Sequence, residues 1–196
     1  MYKATFEVRG MTDLMFGKAT SSPRRDDETY EAHERRVWPE KVPVTADGQC
    51  YVNPFAVTNS LVEAAKWLKR KVPGERGAMF GKRFQCGVSP GDKVLLFRAD
   101  GKPATLDDIE PLMLFVPSDG KHGGPKRVER IFPTLHEWSA KGSLLVFDGK
   151  ISQEQLHDHL VCVGQYVGWG AMRVANGGIN GRFRVVDISA TELAEA

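Results

Sequence analysis

Glycine and arginine concentrate at one place in this chain. The stretch VGWGAMRVANGGINGRFRV, Val167 to Val185, holds Gly168, Gly170, Gly177, Gly178 and Gly181 together with Arg173, Arg182 and Arg184. Glycine admits positive φ and lets another backbone come close, while arginine grips anionic oxygens with a planar fork of donors. Three readings compete: a phosphate cradle for a nucleotide, a bending loop with no ligand, and a surface for nucleic acid. A dinucleotide cradle needs the order strand, glycines, helix; this stretch runs helix, glycines, strand. No GxxxxGK followed by Ser or Thr occurs either, so nucleotide hydrolysis is disfavoured.

Other basic residues add candidates for phosphate contact: Arg24 and Arg25, Arg35 and Arg36, Lys69 with Arg70 and Lys71, Lys82 and Arg83, Lys121, and Lys126 with Arg127. Arg182 and Arg184 alternate with Phe183 and Val185, which predicts that both arginines share one strand face. The plain alternative for that face is a solvated sheet edge. Base stacking could use Tyr30, Trp38, Phe80, Phe84 or Trp169. Trp38 stands amid charge in RRVWPEK, and Trp169 stands between Gly168 and Gly170. Phe6, Phe55, Phe97, Phe115 and Phe147 sit in apolar segments and are assigned to the core. The aromatic signature of a conventional RNA-recognition strand is absent.

Catalytic chemistry finds thinner support. General acid–base cleavage of RNA would need groups such as His33 near Tyr30, or His122 near Lys121 and Lys126. Asp26 and Asp27 adjoin in a charged segment, where acids are ordinarily solvated. His157 and His159 are two apart on a predicted helix and do not share a face, unlike a metal pair at i, i+4. Cys50, Cys86 and Cys162 are far apart and form no CxxC, so a zinc ribbon is not supported. No GxSxG motif occurs. No catalytic residue, metal or cofactor is predicted.

The elements that must position these residues are read from periodicity. Tyr2, Ala4, Phe6 and Val8 alternate with Lys3, Thr5, Glu7 and Arg9, which predicts a half-buried strand stopped by Gly10. Asp26 to Val37 predicts a short polar helix. Ala46-Asp47-Gly48-Gln49 predicts a hairpin turn between Val42–Val44 and Cys50–Val52. Asn53-Pro54 opens a helix, Asn as cap and Pro at its first position, which Pro73-Gly74 ends. Strands are predicted at Lys82–Val88, Lys93–Phe97, Leu112–Val116, Arg127–Pro133 and Gly142–Phe147. Ser152 with Gln155 makes a capping box for a helix bearing Leu156, Leu160, Val163 and Val167. Gly181–Ile188 predicts a last strand, and SATELAEA a short helix or a frayed end.

With residues 11–53 and 72–126 set aside as insertions, the order is βαββαβ, an α+β arrangement of the ferredoxin-like or RRM-like type. Residues 1–196 are read as one such domain. One sheet face would be covered by two helices and the other left free.

Bulk properties agree with a folded binder. The chain has 196 residues, 41% of them hydrophobic, and a formal net charge of +2, so any nucleic acid must be met by local patches. MYKATFEVRG has no long apolar core of a signal peptide, and no apolar run nears the ~20 residues of a membrane span. A cytoplasmic protein with no membrane partner is expected.

GWGAMRVANGGINGRF, following a helix, resembles the glycine-rich loop of the RAMP superfamily, the repeat-associated RNA-binding proteins of CRISPR systems. DGQCYVNPFAVTNSLVEAAKWL is similar to the turn, short strand and helix start of CRISPR backbone subunits. The chain is also similar to small phage-encoded proteins. Two departures stand beside this: Ala175-Asn176 interrupt the glycines, and the chain is short for a backbone subunit. The resemblance implies a RAMP-type RRM-like fold that binds single-stranded RNA (or DNA) without cleaving it. It implies homo-oligomers or CRISPR-type ribonucleoprotein partners, with the glycine stretch and its arginines on the nucleic-acid backbone. Some CRISPR backbone subunits place a catalytic Asp in a protruding loop, where it supports cleavage of target RNA, and the resemblance suggests only that location for Asp26-Asp27. A metal-independent endoribonuclease on the same fold, and a phage protein that inhibits or mimics part of a CRISPR complex, are the alternatives.

Overall fold

The computed structural model describes residues 1–117 and 126–193. In chain order the elements are β1 (Tyr2–Gly10), β2 (Leu14–Met15), α1 (Tyr30–Val37), β3 (Tyr51–Val52), α2 (Pro54–Leu68), α3 (Phe80–Gly87), β4 (Val88–Pro90), β5 (Val94–Phe97), β6 (Glu110–Pro117), β7 (Arg127–Leu135), β8 (Ser139–Val146), α4 (Gln153–Cys162) and β9 (Phe183–Glu192). The described residues form an α+β protein with two antiparallel sheets and four α-helices. The main sheet has the order β3-β5-β8-β1-β9, with β4 also pairing β8; the smaller sheet has the order β2-β7-β6.

Alternation places the core. Ala4, Phe6 and Val8 of β1 are buried, as are Ala140, Leu144 and Val146 of β8, and they join one apolar cluster with Val57 and Leu61 of α2 and Leu156 and Leu160 of α4. Thr5, Arg9, Lys141 and Ser189 are exposed, which leaves the opposite face of β1, β8 and β9 open. Among the described residues, no helix is long and apolar enough to cross a membrane.

Local signals behave as their chemistry dictates. Asn53 Oδ1 accepts from the Phe55 amide at 3.0 Å and caps α2. Both arms of the Ser152–Gln155 capping box are formed, at 2.9 and 3.2 Å. The turn at Gly48 closes a bridge between Val44 and Cys50.

Several expectations need correction. Residues 82–87 are not a strand but the end of α3, and only Val88 begins one: Phe80 and Phe84, one helical turn apart, are both buried and hold α3 against the core. Residues 127–134 do not enter the main sheet. β7 pairs with the whole of β6, from Glu110↔Thr134 to Pro117↔Arg127, and the place beside β8 goes to β4 and β5. Residues 72–126 are therefore not one insertion, because α3, β4 and β5 belong to the main sheet and its core. The C-terminal segment is neither helical nor frayed through Glu192, since β9 continues against β1 to the pair Tyr2↔Glu192.

Candidate nucleic-acid interface

The glycine stretch is folded on the protein itself. After α4 the chain widens into a π-turn at Val163–Val167, and Trp169 is fully buried. Its ring lies 4.3 Å from Phe183 and 6.2 Å from Trp138, and its Nε1 donates to Ser60 Oγ at 3.2 Å. Trp169 is thus a core residue and offers no stacking platform. Gly170, at φ +82°, would place a Cβ 2.3 Å from the Met15 carbonyl oxygen, and Gly181, at φ +74°, would place one 1.9 Å from that of Trp169. The backbone that approaches these two glycines is the protein's own. Gly168 is buried, whereas Gly177 and Gly178 turn the chain nearer the surface.

Several predicted phosphate contacts are already engaged with carboxylates. Arg36 forks onto Glu28 with two bonds of 2.8 Å, and this hydrogen bonding is the main reason Glu28 is held down at about 2. Arg83 lies between Glu75 and Asp148, Arg70 meets Asp158, and Arg173 meets Glu63 at 3.0 Å. Arg35 reaches Glu129 at 3.3 Å from an exposed position. Arg182 donates to the Gln165 carbonyl, while Arg184 is exposed and lies opposite Arg9, so the two arginines do not act as one pair. Arg25, Lys69 and Lys82 are exposed. Lys121 and His122 lie outside the described residues.

The aromatics also redistribute. Phe80 and Phe84 are buried, so neither presents a free ring face, and Trp38 is half-buried against the core. Conversely Phe55, Phe115 and Phe147, assigned to the core by their apolar surroundings, are 67%, 64% and 51% exposed. Trp67 and Tyr166, both exposed, stack at 6.1 Å on the helical side.

One groove does gather bases and exposed rings. A cavity of about 750 Å³ lies between α1 with its preceding loop and the β6–β7 hairpin, lined by Arg24, Tyr30, His33, Phe115, Lys126 and Arg127, among others. Tyr30 is 74% exposed, and the Arg24 guanidinium lies 4.9 Å from its ring centroid. Thr29 caps α1 by accepting from the Ala32 amide at 3.1 Å. The wall is pinned by buried Glu34, which accepts from Lys41 Nζ at 2.5 Å, Arg130 at 2.8 Å and the Ile131 amide at 3.0 Å. Burial pushes the Glu34 carboxyl up, but these three donors outweigh it and its pKa is lowered. Glu31 and Glu129 also line the groove, the latter engaged by Arg35. His33 Nδ1 stands 3.4 Å from Glu28 and 3.2 Å from Arg36. Asp26 and Asp27 are exposed in the loop before α1 and do not line this groove. Flat rings beside cations suit unstacked bases on a phosphate chain.

A further cluster carried no sequence signal. His136 bridges Asp13 at 2.9 Å and Glu110 at 3.0 Å, and the Asp13 bond is the main cause of its raised pKa. The three residues come from separate parts of the chain, so no spacing announces them.

The fold is similar to that of a chain in an RNA-bound CRISPR complex. The match, titled "Cryo-EM structure of the Type III-B Cmr-beta bound to cognate target RNA", has a TM-score of 0.58 and 10% identity, over 96% of this chain. This chain spans 60% of the length of the chain it matches. At that identity the likeness is one of fold. No family model matches the sequence, and no curated protein matches it.

Proposed function

We propose that this chain is a non-catalytic, RAMP-type protein with an RRM-like core that binds single-stranded RNA. It would work in the cytoplasm as a subunit of a ribonucleoprotein, beside copies of itself or other CRISPR-type subunits. The observation that carries this reading is the groove where exposed Tyr30 and Phe115 stand with Arg24, Lys126 and Arg127. Rings supply sequence-tolerant stacking and cations supply backbone attraction. The order β5-β8-β1-β9 with α2 and α4 on one face supports a ferredoxin-like core, and the likeness to a chain of the RNA-bound Cmr-beta structure supports the RAMP assignment.

A second reading, a metal-independent endoribonuclease, is favoured by one observation: Tyr30 and His33 line the same groove. Both readings are tested together. The protein is purified without nuclease, its 260/280 nm absorbance measured, and bound nucleic acid extracted and sized. Labelled single-stranded RNA is then incubated with it and run on a denaturing gel. Binding with intact RNA supports the lead reading; cleavage lost in His33→Ala supports the second. A nucleic-acid-free protein that binds no RNA overturns both.

A further inference from the structure

Arg9 and Arg184 stand directly opposite each other across β1 and β9, on the open face of the main sheet. Like charges at directly opposed positions of an antiparallel pair, with Cβ atoms about 5 Å apart, are destabilising. Among the described residues neither guanidinium meets a carboxylate, although most other arginines of this protein do. The two line a cavity of about 240 Å³ with Arg98, Glu7 and Glu137. Arg98 is committed to Asp100 at 2.7 Å and Asp108 at 3.0 Å, and Glu7 to Lys141 at 3.0 Å. Arg9, Arg184 and Glu137 remain without an ion pair among the described residues. A second cavity of about 340 Å³ shares Arg9 and Glu137.

Glu137 supplies an independent observation. It takes φ +44°, a left-handed conformation rare for a non-glycine residue, in the short connection between β7 and β8. The flanking Trp138 is buried and donates to the Thr12 carbonyl at 2.8 Å, so the connection is fixed. Such strained residues cluster where a ligand is held. A carboxylate is acceptor-only. Beside an anion site it would repel phosphate oxygens and needs a donor group on the same ligand. Each cavity is at or near the lower end of the roughly 300–1,000 Å³ of small-molecule pockets, which suits a short piece of a chain better than a whole cofactor.

We propose that Arg9 and Arg184 hold a backbone phosphate of the bound strand, and that Glu137 accepts a ribose 2′-hydroxyl beside it. This rests on the RNA-binding reading and deepens it, because the 2′-hydroxyl is what separates RNA from DNA at a given contact. The anion relieves the opposed arginines, and the hydroxyl proton satisfies the carboxylate.

The test is fluorescence anisotropy with labelled single-stranded RNA and DNA of one sequence over a salt series. Wild type is expected to prefer RNA. Arg9→Ala with Arg184→Ala should weaken RNA binding several-fold and reduce the log–log salt slope by about 0.7, the share of a single phosphate. Its thermal midpoint should be unchanged or raised, since two opposed like charges are removed. Arg9→Lys with Arg184→Lys, which keeps the charge, should restore the slope. Glu137→Ala should move the RNA-to-DNA preference toward one. Unchanged affinity and slope in the double alanine variant, in a preparation where Tyr30→Ala with Phe115→Ala loses binding, would overturn this site and leave the RNA-binding reading standing. A wild type that binds RNA and DNA alike would overturn the role of Glu137. A wild type that binds neither would overturn both readings.

Discussion

A Cβ placed on Gly181 would stand 1.9 Å from the carbonyl oxygen of Trp169. The Trp169 amide in turn donates to the Gly181 carbonyl at 3.0 Å, so the two backbones lock side by side. Gly181 is also left-handed, at φ +74°. Gly181→Ala would therefore cost about 1–2 kcal/mol for its backbone conformation, with the clash adding to that. Urea unfolding is expected to show the loss as a lower midpoint. RNA affinity of the protein still folded should be unaltered. A variant of native stability that lost RNA would mean that the glycines face a ligand instead of the chain itself.

Glu34 and Lys41 make a buried ion pair whose removal should be felt at the groove wall. Lys41→Met leaves the Glu34 carboxylate with only Arg130 and the Ile131 amide, and breaking a buried pair costs about 3–5 kcal/mol. The lower end is expected, because Arg130 remains. The pH dependence has a definite sign. A carboxyl with a lowered folded pKa contributes stability that is present above its ordinary value of 4.5 and lost as pH falls through the folded value. Urea midpoints measured from pH 7 to pH 3 should fall in wild type, and the fall should be shallower in Glu34→Gln.

His159 gives a second pH dependence at a higher window. It is buried between Phe84, at 4.4 Å, and Phe80, at 5.5 Å. Nδ1 faces the Gln155 carbonyl at 2.6 Å, and Nε2 has no partner among the described residues. Burial pushes its pKa below the ordinary 6.5. The neutral ring is favoured in the folded state, so its contribution is complete above 6.5 and is lost as pH falls toward the depressed value. His136, with its raised pKa, has the opposite sign: its contribution is present below 6.5 and lost as pH rises. Replacing His159 by Phe should flatten the decline in urea midpoint below pH 6.5. A decline of unchanged steepness would assign it to other groups.

What could be read from the sequence was local. The alternation of β1, the Asn53 cap and the Ser152–Gln155 box each rest on residues within a few positions of one another, and each forms. The helix at Phe80–Gly87 was hidden because its apolar signal is only Phe80, Phe84 and a glycine, too short to separate from a strand. The sheet that β7 joins depends on β6 and β8 competing for it, which no local pattern records. Phe115 reads as core because Leu112, Met113, Leu114 and Val116 surround it, yet it is 64% exposed on an outer strand. The groove itself joins Tyr30 to Phe115 and Arg127, residues brought together only when α1 docks on β7 through Glu34.

That docking makes the groove separable from the rest of the basic surface. Each base stacked on a ring is worth about 1–3 kcal/mol, or roughly 5–150-fold in affinity, so Tyr30→Ala or Phe115→Ala should weaken single-stranded RNA binding in that range. Neither ring is charged, and the salt slope should stay as it is. Arg24→Ala and Arg127→Ala should each lower the slope by about 0.7. Arg24 lies over the Tyr30 ring, so the double variant with Tyr30→Ala should lose less than the sum of its parts. Arg182→Ala is the contrast: Arg182 does not line the groove, so its loss should leave both affinity and slope unchanged. An Arg182 variant that lost RNA while the two ring variants kept it would move the interface from the groove to the glycine stretch.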